Sequence, residues 1–167
     1  YNGEPQPLIN PGSVNEDCTC TMKYRIGDTG EFSTAIPKET AAGTYAVYYM
    51  VTGDENHEEV SATKLADVTI AQKEITVNAG TYKVSKVYDG DTDVKEGNVS
   101  GELACEGILP ADAQKVTVTA TPTSYGSEDA GEGQLNVNIA LSGEKANTDN
   151  YKILNDATTI AVPTEIS

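Results

Sequence analysis

Tryptophan is missing from this sequence of 167 residues, and phenylalanine and histidine occur once each. The large side chains of any core must therefore be tyrosines packed among branched aliphatics. A single histidine leaves a zinc site without support, since no third ligand lies near the cysteines in sequence. No run of about 18 apolar residues occurs, so no segment is expected to span a membrane. Basic residues are also scarce, 11 against 26 acidic ones, for a formal net charge of -15. Divided at Gln72, the chain has 4 basic and 11 acidic residues before the division and 7 and 15 after it, or -7 and -8. Acidity spread over both halves suits solubility, and it argues against nucleic acid and anionic lipid, whose phosphates need lysine or arginine patches. The three cysteines, Cys18, Cys20 and Cys105, are an odd set and a poor disulfide framework. Cys18 and Cys20 alternate with threonines and run in phase with Met22, Tyr24 and Ile26, which reads as one strand face with small core hydrophobes rather than a soft-metal or redox pair.

What the sequence does contain is alternation. Tyr45, Val47, Tyr49 and Val51 form one period-two set, and Ala66, Val68 and Ile70 another. Ile75 and Val77, Val116 to Ala120, and Leu135 to Leu141 with Asn136 and Asn138 between complete the series. Period two in Val, Ile, Thr and Tyr marks half-buried strands, and Gly27–Gly30, Gly53-Asp54, Asp89-Gly90 and Ser142–Glu144 supply turns between them. One short helical turn is expected at Ala111 to Gln114, after Pro110. The chain also resembles itself. Tyr1-Asn2-Gly3 matches Tyr88-Asp89-Gly90, Ala41-Ala42-Gly43 matches Asp129-Ala130-Gly131, and the strand from Tyr45 matches that from Leu135. The offsets grow through the loops, and the two residues gained before Leu135 preserve strand parity. Two copies of one sandwich are expected, residues 1–72 and 73–167, joined through Gln72-Lys73-Glu74. The second copy has a strand ahead of its YDG and the first does not, so the lead strand of copy one is expected to be missing.

SKVYDGDT, VTVTATPTSYGSEDAGEGQLNVNIALSG and NTDNYKI resemble the YDG-type repeat of bacterial surface proteins. YNGEPQPLI, MKYRIGDTGEFSTAIPKETAAGTYAVYYMVTGDENHE and VTIAQKEITV resemble the related immunoglobulin-like repeats of the MBG kind. The resemblance implies tandem Ig-like β-sandwiches in large exported, often wall-anchored proteins, and it implies no catalytic residues. Family copies follow YDG with small hydroxyl residues, so Asp91 and Asp93 depart from the pattern and leave a metal reading open.

Asp89, Asp91 and Asp93 are the candidate metal ligands, for calcium. An EF-hand would place Gly and Glu where this chain has Val94 and Ser100, so that motif fails, and a tight Asp-Gly turn is the reading preferred over calcium. Tyr48 faces away from Tyr45 and Tyr49 on its strand and is a candidate contact for a sugar or other ligand. His57, among Glu55, Glu58 and Glu59, reads as a loop residue, because nothing beside it in sequence makes a catalytic dyad. The long stretch Asn98 to Gln114 has no counterpart in copy one and reads as a loop able to contact a partner.

The expectation is an all-β chain of two tandem immunoglobulin-like sandwiches, non-catalytic, monomeric and without a cofactor. It is expected to be a structural segment of an extracellular or cell-surface bacterial repeat protein, an adhesin stalk flanked by neighbouring repeats. The alternatives are an adhesin module binding glycan or host protein through its loops, and an accessory domain of a secreted hydrolase.

Overall fold

A computed structural model describes residues 1–167. The chain is all-β and divides into two compact units, Tyr1–Gln72 and Lys73–Ser167.

In the first unit β1 (Gln6–Pro7) pairs with β3 (Lys38–Glu39), and β2 (Thr21–Ile26), β4 (Gly43–Thr52) and β5 (Val60–Ile70) form an antiparallel sheet in the order β2-β4-β5. Its core gathers Leu8, Val47 and Ile70, with Tyr1, Ile26, Tyr45 and Val68 packed around them. Tyr24 is also buried, and its hydroxyl accepts the Gly12 N–H at 2.7 Å. In this unit Tyr24 and Tyr45 thus supply core bulk while their hydroxyls find partners, that of Tyr45 in the Ala41 carbonyl.

The second unit contains β6 (Lys73–Asn78), β7 (Lys83–Lys86), β8 (Val99–Ser100), β9 (Ala104–Glu106), β10 (Val116–Pro122), β11 (Gly131–Gly143), β12 (Tyr151–Ile153) and β13 (Thr159–Ile166). Five of these form a sheet in the order β10-β11-β13-β7-β8, and the other three a sheet in the order β12-β6-β9. Along β11, Leu135, Val137 and Ile139 are buried while Asn136 and Asn138 are exposed, as the alternation predicts. They pack with Val84 of β7 and with Val162 and Ile166 of β13. Val77 of β6 and Ile153 of β12 add to the same core from the smaller sheet.

The two units share a local pattern. β2-β4-β5 and β10-β11-β13 have the same strand order and antiparallel sense, and the central strand of each begins on a glycine opposite the isoleucine near the end of its neighbour, Gly43 opposite Ile70 and Gly131 opposite Ile166. The turn glycines Gly3 and Gly90 both adopt positive φ, 82° and 74°, a region open to glycine at little cost.

Two expectations are corrected. β2 begins at Thr21, so Cys18 and Cys20 precede the strand and are only half-buried, and Cys105 is exposed on β9. None of the three is a core hydrophobe. The stretch from Asn98 to Gln114 is also no free loop. Val99–Ser100 pairs with Lys83 and Val84, and Ala104–Glu106 pairs with Thr76–Asn78. The fully buried Tyr151 then donates its hydroxyl proton to Asp112 at 2.7 Å and accepts the Leu109 N–H at 3.2 Å. Turn residues and a Pro hid these short strands, since two- and three-residue strands carry no period. The short helical turn itself is present, as a 3-10 turn at Pro110–Asp112.

Ile75, 1 % exposed in the middle of β6, has no room to be lost cheaply. Ile75→Ala is expected to destabilise the second unit by about 2–5 kcal/mol in urea unfolding, whereas Asn136→Ala on the exposed phase of β11 should stay within about 0.5 kcal/mol.

Candidate functional site

The YDG segment follows directly from β7. Lys86, the last residue of that strand, turns its side chain inward and leaves it 3 % exposed. Its backbone carbonyl accepts the Ser167 N–H, and Tyr88 N–H donates to the Ser167 carbonyl, so the parallel β7–β13 pairing extends to the loop's first residues. Val87 and Tyr88 themselves face outward, 76 % and 56 % exposed.

A buried ammonium needs countercharge, and the loop supplies it. Lys86 Nζ lies 2.5 Å from Asp89 Oδ1 and 2.8 Å from Asp91 Oδ1, and it donates to the Asp91 carbonyl at 2.6 Å. On the solvent side Lys95 Nζ meets the other carboxylate oxygens, Asp89 Oδ2 at 2.9 Å and Asp91 Oδ2 at 3.3 Å. Two cations and two anions therefore alternate, and each carboxylate splits its oxygens between the lysines. The ring of Tyr125 completes the enclosure, with Lys86 Nζ 5.0 Å from its centroid.

The electrostatics follow from this arrangement. The Lys86 and Lys95 ammoniums hold the Asp89 carboxyl far below the usual carboxylate range, and Lys86 with the Asp93 N–H lowers Asp91. Burial disfavours the charge on Lys86, but the hydrogen bonds it donates to both carboxylates outweigh it and raise its pKa.

Of the three aspartates that were calcium candidates beside the preferred turn reading, the structure brings Asp89 and Asp91 together, but around ammonium groups. Asp93 is exposed, and its backbone N–H donates to Asp91 Oδ1 at 3.0 Å. Calcium takes 6–8 oxygens. Here the four carboxylate oxygens of Asp89 and Asp91 already face lysines, and their charge is balanced. The signal in the sequence was Lys86 and Lys95, flanking the acids at spacings a tight loop can close.

Tyr48 is half-buried on β4. Its hydroxyl donates to Asp28, and the Arg25 guanidinium sits 5.3 Å from its ring centroid and 4.6 Å from that of Phe32. This cation–aromatic stack occupies part of the surface a sugar would need.

Sequence reasoning missed a different gathering of groups. Cys18, Cys20, Asp54 and His57 each present a donor atom, and these four atoms lie within 4.8 Å of one another. Thr19 and Asp54 are 35 residues apart in sequence. The strand register that joins them, Thr21 opposite Thr52, is not visible before the fold is known.

Compared with known proteins, residues 71–160 match the YDG domain. The chain belongs to the YDG domain family. The match covers β6 through the start of β13, nearly all of the second unit and the whole lysine–aspartate loop. No curated protein and no solved structure matches the chain.

The YDG loop generates three predictions. Folded-state carboxyl pKa values below the unfolded value of about 3.9 mean that Asp89 and Asp91 contribute stability above about pH 4 and lose it as pH falls through their folded values. Acid unfolding of the native chain should therefore be steeper than that of Asp89→Asn, and Lys86→Ala should lower the melting temperature at neutral pH by removing the cation between two carboxylates. Millimolar calcium, against EDTA, is expected to leave the melting temperature unchanged, because a ligand stabilises only if the folded state binds it.

Proposed function

We propose that this chain is a non-catalytic structural segment of a bacterial cell-surface or secreted repeat protein, a spacer of the adhesin-stalk kind. The observation that carries this reading is how the YDG loop spends its chemistry. Asp89 and Asp91, its most reactive-looking groups, are committed to a buried lysine of their own domain. A loop whose charges close its own fold is built for persistence rather than turnover. The balanced acidic surface of both halves fits a segment that stays soluble and avoids nucleic acid.

The first unit is read as a divergent relative of the second, of the MBG kind, and both as Ig-like sandwiches. The common order of β2-β4-β5 and β10-β11-β13, with the matched glycine and isoleucine register, supports a duplication. On this reading neighbouring repeats of the parent protein are its partners, and its compartment is extracellular.

Replacement in the parent protein tests the proposal. An unrelated pair of β-domains put in place of this segment should leave adhesion or any attached activity intact while surface display is maintained. Loss of adhesion at unchanged display would contradict the spacer reading and favour direct ligand contact.

A further inference from the structure

We propose that Cys18, Cys20, His57 and Asp54 form a binding site for a borderline-soft divalent metal ion, zinc being the fitting choice, when the two cysteines are reduced.

The site is built by the first unit's sheet. Antiparallel pairing of β2 with β4 places Thr21 opposite Thr52, so the residues just before β2 run beside those just after β4. After Thr52 the chain turns sharply, with Asp54 N–H donating to the His57 carbonyl at 3.0 Å. Gly53 permits the turn, because a Cβ there would lie 2.3 Å from the His57 carbonyl oxygen. The turn brings His57 back over Asp54, with Nδ1 2.7 Å from Asp54 Oδ1. Thr19, between the cysteines, fastens the two segments together: its N–H and hydroxyl both donate to Asp54 Oδ2, at 2.8 and 3.2 Å. Asn56 N–H donates to Asp54 Oδ1 at 2.9 Å. The carboxylate is thus oriented by backbone and hydroxyl donors, as supporting hydrogen bonds orient ligands in metal sites.

The donor atoms suit a tetrahedral ion. Zn–S bonds of about 2.3 Å and Zn–N or Zn–O bonds of about 2.0 Å set neighbouring donors roughly 3.3–3.8 Å apart. The four atoms lie within 4.8 Å of one another, and side-chain shifts that part the two sulfurs after reduction and widen the 2.7 Å His57–Asp54 pair would complete the shell. Two thiolates, an imidazole and one carboxylate favour zinc or cobalt over calcium or magnesium, which take oxygen. All four residues are half-buried, sheltered but reachable from solvent.

In the structure the two sulfurs are bonded to each other. The cross-link closes a loop around Thr19 alone, and so short a loop removes little freedom from the unfolded chain. Holding the fold together is therefore a poor account of the pair, whereas a shared ion would tie β2 to the turn after β4. A phosphine reductant gives two electrons to the disulfide, and one water supplies the two protons of the two thiols and the oxygen of the phosphine oxide. Binding of one divalent ion then releases those two protons to solvent and forms two metal–thiolate bonds. Oxidation of the pair removes both sulfur donors, so the site is present only in the reduced chain.

Cobalt(II) titration of the reduced full chain tests the proposal. One equivalent should give thiolate-to-cobalt charge-transfer absorption and the visible bands of tetrahedral cobalt, both lost on adding zinc. Cys20→Ser and His57→Ala should each abolish the spectrum, and Asp54→Ala should weaken binding roughly tenfold or more, in the range of losses seen when supporting or ligating groups are removed. Asp89→Asn, in the other unit, should have no effect. Should a variant fail to fold, alkylation of the native reduced chain decides the matter. Zinc should protect Cys18 and Cys20 and leave the exposed Cys105 reacting at its usual rate. No cobalt spectrum, a spectrum unchanged in the cysteine variant, or equal alkylation of all three thiols with and without zinc would overturn the proposal.

Discussion

The second unit turns on one buried ammonium. Lys86 ends β7, the strand that joins β13 to β8 in the larger sheet, and its charge must be answered where the sheet meets the loop. Asp89 and Asp91 answer it from inside the YDG segment, and Tyr125 covers it with a ring face. A buried ion pair need not exceed in stability the apolar packing that could replace it, but breaking one leaves an uncompensated charge. The lysine thereby restricts the conformations open to the loop. The Asp-Gly turn, the positive φ of Gly90 and the placement of Tyr88 against Ser167 all belong to the geometry in which both carboxylates reach the same nitrogen.

This constraint bears on function by subtraction. Carboxylates that look like metal ligands in sequence are saturated by lysines, and a tyrosine that looks like a sugar platform is engaged by Arg25 and Asp28. The long stretch after Asn98 is drawn into both sheets and fixed by Tyr151 through Asp112 and Leu109. Each of these features makes its contacts within its own unit. The Cys18–Cys20 and Asp54–His57 pair of segments differs, because it gathers four donor groups at one end of a sheet that is already held by its register.

Much of the fold was legible because alternation is a local property. Leu135, Val137 and Ile139 announce the buried face of β11, and Tyr45 to Val51 announce β4, without knowledge of any partner. Resemblance to the YDG repeat was likewise carried by contiguous residues. What stayed hidden depended on pairing across long separations. β8 and β9 are too short to show a period, and the burial of Lys86 follows only once its strand is placed beside β13. The continuation of the Met22–Tyr24–Ile26 phase back to Cys18 was misleading, since alternation persists in a chain that has already left the sheet. His57 read as a loop residue because two of its companions, Cys18 and Cys20, lie on the extension of the neighbouring strand.

The most direct test is an NMR titration of the Asp89 side-chain carboxyl in the native chain and in Lys86→Met. If Lys86 organises the YDG loop, Asp89 should titrate well below the ordinary aspartate value of about 3.9 in the native chain and move up toward it in the variant. An ordinary value in the native chain would show that the loop does not depend on the lysine, and the account of the YDG segment would fail.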